Sequence, residues 1–317
     1  MRYNASRPFR FFRSDAMRPV IGLALGGGGA RGYAHIGVIR TLVAHGVPID
    51  VVAGTSMGAV IGGAYACGLD LYKIEKILRN LDVNKLLGIP DTTLRGIESL
   101  AGKTASEYLF KKADWRVHEP LSLKQLYAFL QLFTGERSFE DLSVPLSVVA
   151  CDIDTGEEIV LRSGKLYRAI AASMAFPGVH PPVPLGGRFL VDGGLVNKIP
   201  VDAAVAMGAE IVIAVDVSAP LNPHVTTSLD VLIQSNAITS QELVRLKLEL
   251  MHQRLGEKLI VIRPRVDRIK LFQLRQLDLP IREGEHATAE KLSLIKEIIA
   301  KYSEPLPQPP LDKQPAA

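Results

Sequence analysis

Val20-Ile21-Gly22-Leu23-Ala24-Leu25-Gly26-Gly27-Gly28-Gly29-Ala30-Arg31-Gly32 opens a stretch that runs on to Gly54-Thr55-Ser56-Met57-Gly58, and its reading decides the fold. Residues 20–25 are short, mostly apolar and without a helical polar face, as in a buried strand. The four glycines that follow lack Cβ atoms, so the backbone can turn tightly and present its N–H groups to an anion. Ile36, Ile39, Leu42 and Val43 fall at helical spacing within 31–45, which puts those amides at a helix N-terminus, and Pro48 stops the helix. Val51-Val52-Ala53 reads as a second strand. It ends in a match to the G-x-S-x-G nucleophile elbow, with Gly54 and Gly58 leaving room for a sharp strand-to-helix turn and Ser56 at its tip. In a chain with 27 glycines the pentapeptide is a weak signal alone. Strand, glycine loop, helix, strand, elbow and helix in this order are a much stronger one.

The 317 residues can build one large or two ordinary domains. With 47% hydrophobic and 22% charged residues the composition is that of a globular protein, and no run of 18 apolar residues occurs, so no transmembrane helix is expected. Residues 1–19 are arginine-rich with one acid, Asp15, and no apolar segment that would make a secretory signal. They are expected to be a disordered extension, with a transit peptide or a lipid-touching arm as alternatives, and the protein is expected in the cytoplasm with peripheral membrane contact left open. Two cysteines, Cys67 and Cys151, provide neither a disulfide framework nor a metal site. A net charge of +4 favours anionic partners, but no zinc-finger spacing or RNP-like aromatic pattern points to nucleic acid.

Farther along, residues 69–81 have the pattern of an amphipathic helix. Residues 82–140 read as an inserted helical region, with helices at 105–112 and 123–133 and a lone Trp115 in a basic, apolar setting that suits either a lipid entrance or ordinary packing. A hairpin at 146–151 and 159–161, a helix at 166–174 and a strand at 189–191 lead to Asp192-Gly193-Gly194, a carboxylate at a strand end, where open α/β sheets place their chemistry. A helix at 200–207, a strand at 211–215, a long helix at 228–253, a strand at 259–262 and a helix at 284–302 follow. This alternation indicates a largely parallel sheet, and the proline-rich residues 304–317 an unstructured tail.

A serine hydroxyl attacks well only when a base takes its proton and donors hold the resulting oxyanion. The amides of Gly27, Gly28 and Gly29 suit the second task; Arg31 either adds positive charge there or is a solvent-facing or ion-paired helix residue. For the base, His224, His252 and His286 follow Asp192 without a convincing strand-end position, and His35 and His180 read as structural. That leaves a base other than histidine.

The set Gly27-Gly28-Gly29-Ala30-Arg31-Gly32, Gly54-Thr55-Ser56-Met57-Gly58 and Asp192-Gly193-Gly194 resembles the patatin-like phospholipase family. Ala172-Ser173-Met174-Ala175-Phe176-Pro177-Gly178 is similar to a block in its bacterial, neuropathy-target-esterase-like branch. The resemblance covers residues 20–217 and implies a three-layer α/β/α fold. It implies Ser56 as nucleophile, Asp192 as its base and the glycine loop as oxyanion hole, with Arg31, Gly32, Gly54, Gly58, Gly193 and Gly194 in support and no metal or cofactor. The activity implied is hydrolysis of acyl esters of phospholipids or lysophospholipids. A histidine-triad esterase and a non-catalytic lipid-binding protein of the same fold are the alternatives. A dinucleotide fingerprint at Gly27-x-Gly29-x-x-Gly32 lacks its acidic residue at the end of the second strand, and a P-loop lacks Lys-Ser or Lys-Thr after Gly32. For Asp192 to serve as a base near neutral pH, burial should raise its pKa.

Overall fold

In the computed structural model, residues 18–81 and 121–303 are described, apart from 178, 219, 222, 223 and 227. The expected helix at 105–112, Trp115 and its basic neighbours, residues 1–17 and the tail from 304 lie outside the described residues.

β1 (Ile21–Leu25) is buried at every position. It pairs in parallel with β2 (Val51–Thr55) on one side and with β7 (Ile211–Val215) on the other, and β7 pairs in parallel with β8 (Leu259–Ile262). Burial on both faces is what an uninterrupted apolar run requires. On one face Ile21, Leu23, Leu25, Val52, Ile211 and Ile213 join a large apolar core with α1 (Ala34–Ala44), α2 (Met57–Ala66), α3 (Leu71–Asn80), α4 (Leu121–Thr134), α5 (Leu166–Met174) and α8 (Asp278–Lys301). On the other, Ala24, Val51, Ala53, Val212 and Ala214 meet α6 (Val201–Val205) and the 28-residue α7 (Ser228–Leu255). Neighbouring residues of one strand thus serve different layers, the alternation a pleated sheet imposes. The result is the expected three-layer α/β/α arrangement.

β3 (Leu146–Asp152) decides where the site forms. Its first half runs parallel to β2, Thr55 lying opposite Val149, while β4 (Glu158–Leu161) forms the expected hairpin with residues 148–151. β6 (Arg188–Asp192) pairs antiparallel with residues 150–152, with Asp192 opposite Ala150. Val148 and Val149 pair with both β2 and β4, and Ala150 and Cys151 with both β4 and β6. β2 and β6 must therefore share one edge of β3, end to end, and the residues after Thr55 meet Asp192 there. β5 (Val183–Leu185) completes the eight-stranded sheet against β6.

Apart from shifts of a few residues at element ends, three differences from expectation stand out. The turn after the glycines is 3₁₀ over Gly29–Tyr33 before α1 begins. β5 was not among the expected strands; Pro184 sits within it, but at the end of the sheet path it pairs with β6 alone, where a missing N–H matters less. α8 starts at Asp278 rather than 284, with Pro280 in its first turn, where the absent N–H has no helical partner to lose.

Candidate active site

The loops after β1 and β2 leave the same end of the sheet because the two strands are parallel. The glycine loop and the elbow therefore face one another. Ser56 carries φ 55° and ψ −124°, and among the described residues it is the one non-glycine at positive φ. The turn is tight enough that a Cβ on Gly58 would lie 2.1 Å from the Leu25 carbonyl oxygen, so only glycine fits there. Gly54 likewise abuts the Ala59 backbone, and Gly32 abuts Met57.

Ser56 Oγ donates to Asp192 Oδ2 at 2.7 Å, with no imidazole between them. The other carboxylate oxygen, Oδ1, accepts the Gly194 N–H at 2.7 Å. Gly193 lets this turn lie on β3, since a Cβ there would come within 2.3 Å of the Val149 carbonyl oxygen. Asp192 is 6% exposed. Burial pushes its pKa up to about 6, against the opposing pull of the Gly194 and Ser56 hydrogen bonds and the charge of Lys198.

The glycine loop is more committed than its sequence suggests. Gly27 N–H donates to the Lys198 carbonyl at 2.9 Å, so this amide is not open to an oxyanion, a correction to the expected trio. Gly27 instead lets the loop approach Ser56, whose Cβ would be 3.2 Å from a Cβ placed on it. Among the described residues, Gly28 and Gly29 make no such bond through their amides. The Met57 N–H begins α2 and has no helical acceptor. Its position directly after the serine is the signal that could have singled it out.

Arg31 is largely buried, and among the described residues it is not ion-paired, Asp267 acting on it only at longer range. Its Nε donates to the Ile269 carbonyl at 2.7 Å, it lines the cavity beside Ser56, and burial lowers its pKa. Lys198, which sequence reasoning missed, lines the same cavity, and burial lowers its pKa also, more than Asp216 and Asp192 raise it. Among the described residues neither cation has a carboxylate within 4.0 Å. The cavity holds about 250 Å³ and reaches from Ser56 past Met174, Phe176, Leu195 and Phe272 to α7.

His35, His252 and His286 make their contacts away from the Ser56–Asp192 bond. His35 is fully buried with Nε2 2.7 Å from the Gly26 carbonyl oxygen, and burial lowers its pKa to about 4, so the neutral ring braces the glycine loop from behind. His252 faces its own helix through the Leu248 carbonyl, and His286 faces Glu290. His180 lines the cavity. Among the described residues no group of three or more His, Cys, Asp or Glu side chains could hold a metal ion, and no helix is long and apolar enough to cross a membrane. Cys67 and Cys151 are buried free thiols.

A family model described as patatin-like phospholipase matches residues 23–205, which include the glycine loop, the elbow and Asp192. The chain belongs to the patatin-like phospholipase family. A patatin-like phospholipase domain-containing protein of Caenorhabditis elegans is 39% identical over 204 residues, covering 62% of this chain and 13% of the worm protein. An uncharacterised NTE family protein of Mycobacterium tuberculosis is 34% identical over 200 residues, 63% of this chain and 49% of that one. The chain thus spans half or less of the length of these patatin-like relatives. The crystal structure of VipD from Legionella pneumophila aligns with 89% of this chain and 67% of its own, at 14% identity and a TM-score of 0.49.

Proposed function

We propose that the protein is a serine acyl hydrolase that cleaves ester bonds of phospholipids or lysophospholipids through a Ser56–Asp192 dyad. The observation that carries this reading is the direct 2.7 Å hydrogen bond from the Ser56 hydroxyl to a buried carboxylate. Asp192 accepts the hydroxyl proton as Ser56 Oγ attacks the ester carbonyl. The amides of Gly28 and Gly29, with that of Met57, hold the oxyanion. Collapse of the tetrahedral intermediate expels the alcohol, which takes the proton back from Asp192 and leaves an acyl-Ser56 ester. Water then attacks that ester with Asp192 again as base, and the fatty acid departs.

A carboxylate of ordinary pKa would be a weak base; one raised to about 6 stays ionised at neutral pH while holding a proton more firmly. Arg31 and Lys198, which among the described residues have no carboxylate within 4.0 Å although Asp267 acts on the first and Asp216 and Asp192 on the second at longer range, bring two cations to the cavity, which supports a substrate with a phosphate near its ester over a neutral glyceride. Its largely apolar lining supports an acyl chain.

The test is a panel of phospholipids, lysophospholipids, neutral glycerides and short p-nitrophenyl esters, with Ser56→Ala as control. Release of fatty acid from the phosphate-bearing lipids, absent in the control, is expected. Turnover unaffected by Ser56→Ala would refute the mechanism, and turnover of neutral esters alone would refute the substrate class.

A further inference from the structure

The last turn of α5 and the two residues beyond it touch both halves of the dyad. Ser173 Oγ accepts the backbone N–H of Ser56 at 2.7 Å and donates to the Val149 carbonyl of β3 at 2.6 Å. Two residues on, the Ala175 carbonyl accepts the backbone N–H of Asp192 at 3.0 Å. Ser173 and Ala175 are both fully buried, whereas Met174 and Phe176, which alternate with them, line the catalytic cavity. One four-residue stretch thus holds nucleophile and base by their backbones and faces the substrate space with its intervening side chains.

The elbow needs such a hold. Strained backbone persists only where its surroundings over-determine it, and Ser56 lies past the last paired residue of β2 and before the first helical residue of α2. Neither ladder takes its N–H; the Ser173 hydroxyl does. Since the same hydroxyl is tied to Val149, which lies opposite Thr55, the elbow is referenced to the strand whose next residue, Ala150, faces Asp192.

We infer that Ser173 is a positioning residue for the nucleophile, fixing the elbow on β3 so that Ser56 Oγ stays within hydrogen-bond reach of the carboxylate that the Ala175 carbonyl holds from the other side. This rests on the dyad reading above. It differs from a role in core satisfaction alone, which would lower stability without changing the chemistry of the folded fraction. A loosened Ser56–Asp192 bond, by contrast, removes one of the contacts holding the Asp192 pKa down. Among the described residues, the other charged or titratable groups around Asp192 are Lys198, whose charge opposes the rise, Cys151, whose own thiol is pushed up by burial and by nearby carboxylates including Asp192, and Arg31 and His180, which line the same cavity.

The experiment compares wild type, Ser173→Ala and Ser173→Thr on a soluble p-nitrophenyl ester. Active sites are counted by a fluorophosphonate that labels Ser56, so that only folded, reactive enzyme enters kcat. For Ser173→Ala, kcat per titrated site should fall roughly tenfold to a hundredfold with KM within about twofold. The acid limb of its pH profile should move up by about half a unit, and Ser173→Thr, which keeps the hydroxyl, should recover part of the loss. If Ser173→Ala keeps wild-type kcat per titrated site and an unmoved pH profile, the inference is wrong, whether or not Ser173→Thr folds. Wild-type enzyme without any turnover would instead sink the hydrolase reading and the positioning role with it.

Discussion

The elbow at Ser56 and the strand end at Asp192 meet within 2.7 Å, yet they carry unfavourable energy in different forms. At Ser56 it is conformational: a β-carbon-bearing residue at φ 55° costs about 1–3 kcal/mol. At Asp192 it is electrostatic: the backbone is ordinary, but the carboxylate is buried, and lifting its pKa from 3.8 to about 6 corresponds to about 3 kcal/mol against the charged form. The first aims a hydroxyl, and in the proposed mechanism the second makes a base. The surrounding three-layer core stabilises both, and separate substitutions can relieve each.

The largest effect should come from removing the proposed nucleophile. Ser56→Ala is expected to lower kcat on any substrate by at least roughly 10³-fold while leaving the fold intact, which circular dichroism and fatty-acid release together would check. Next is Gly58→Ala, which forces a Cβ towards the Leu25 carbonyl that the strained turn cannot move aside. It should destabilise by about 3 kcal/mol in urea titration, and a neutral outcome would mean that the elbow is softer than described.

The contrast between the halves was unevenly written in the sequence. The path from β1 to α2 is contiguous, and its period-two and helical patterns and its glycines are local signals, so the elbow serine and the glycine loop could be placed side by side from spacing. The approach of Asp192 could not, because it depends on β3 carrying β2 and β6 along one edge, a register no local pattern encodes. Ser173 and Lys198 escaped for the same reason, and so did the diversion of the Gly27 amide to the Lys198 carbonyl. Each is a hydrogen bond or charge relation set by tertiary placement. The contacts of His35 agree with its structural reading, whereas His180, read the same way, lines the cavity.

Relieving the electrostatic half should stabilise the protein. Because the folded pKa of Asp192 lies above its unfolded value, the folded state binds more protons between about pH 4 and 6, and stability falls as pH rises through that window. Asp192→Asn removes the buried charge, so it should be about 2 kcal/mol more stable than wild type at pH 8 and nearly equal to it at pH 4. Equal stability at both values would show that the carboxylate is not penalised. A smaller effect is expected at Lys198. Lys198→Gln should lower kcat/KM about tenfold for a lysophospholipid and little for a neutral glyceride of the same chain, and an equal loss on both would argue against a part in reading the head group.

The direct Ser56–Asp192 proton transfer is tested most sharply by the pH dependence of kcat/KM for Asp192→Asn beside wild type. The dyad predicts that wild-type activity rises through an inflection near pH 6, and that the variant is roughly 10³-fold slower with that inflection gone. A variant within a few-fold of wild type that keeps the inflection would contradict it and return the role of base to a histidine such as His180.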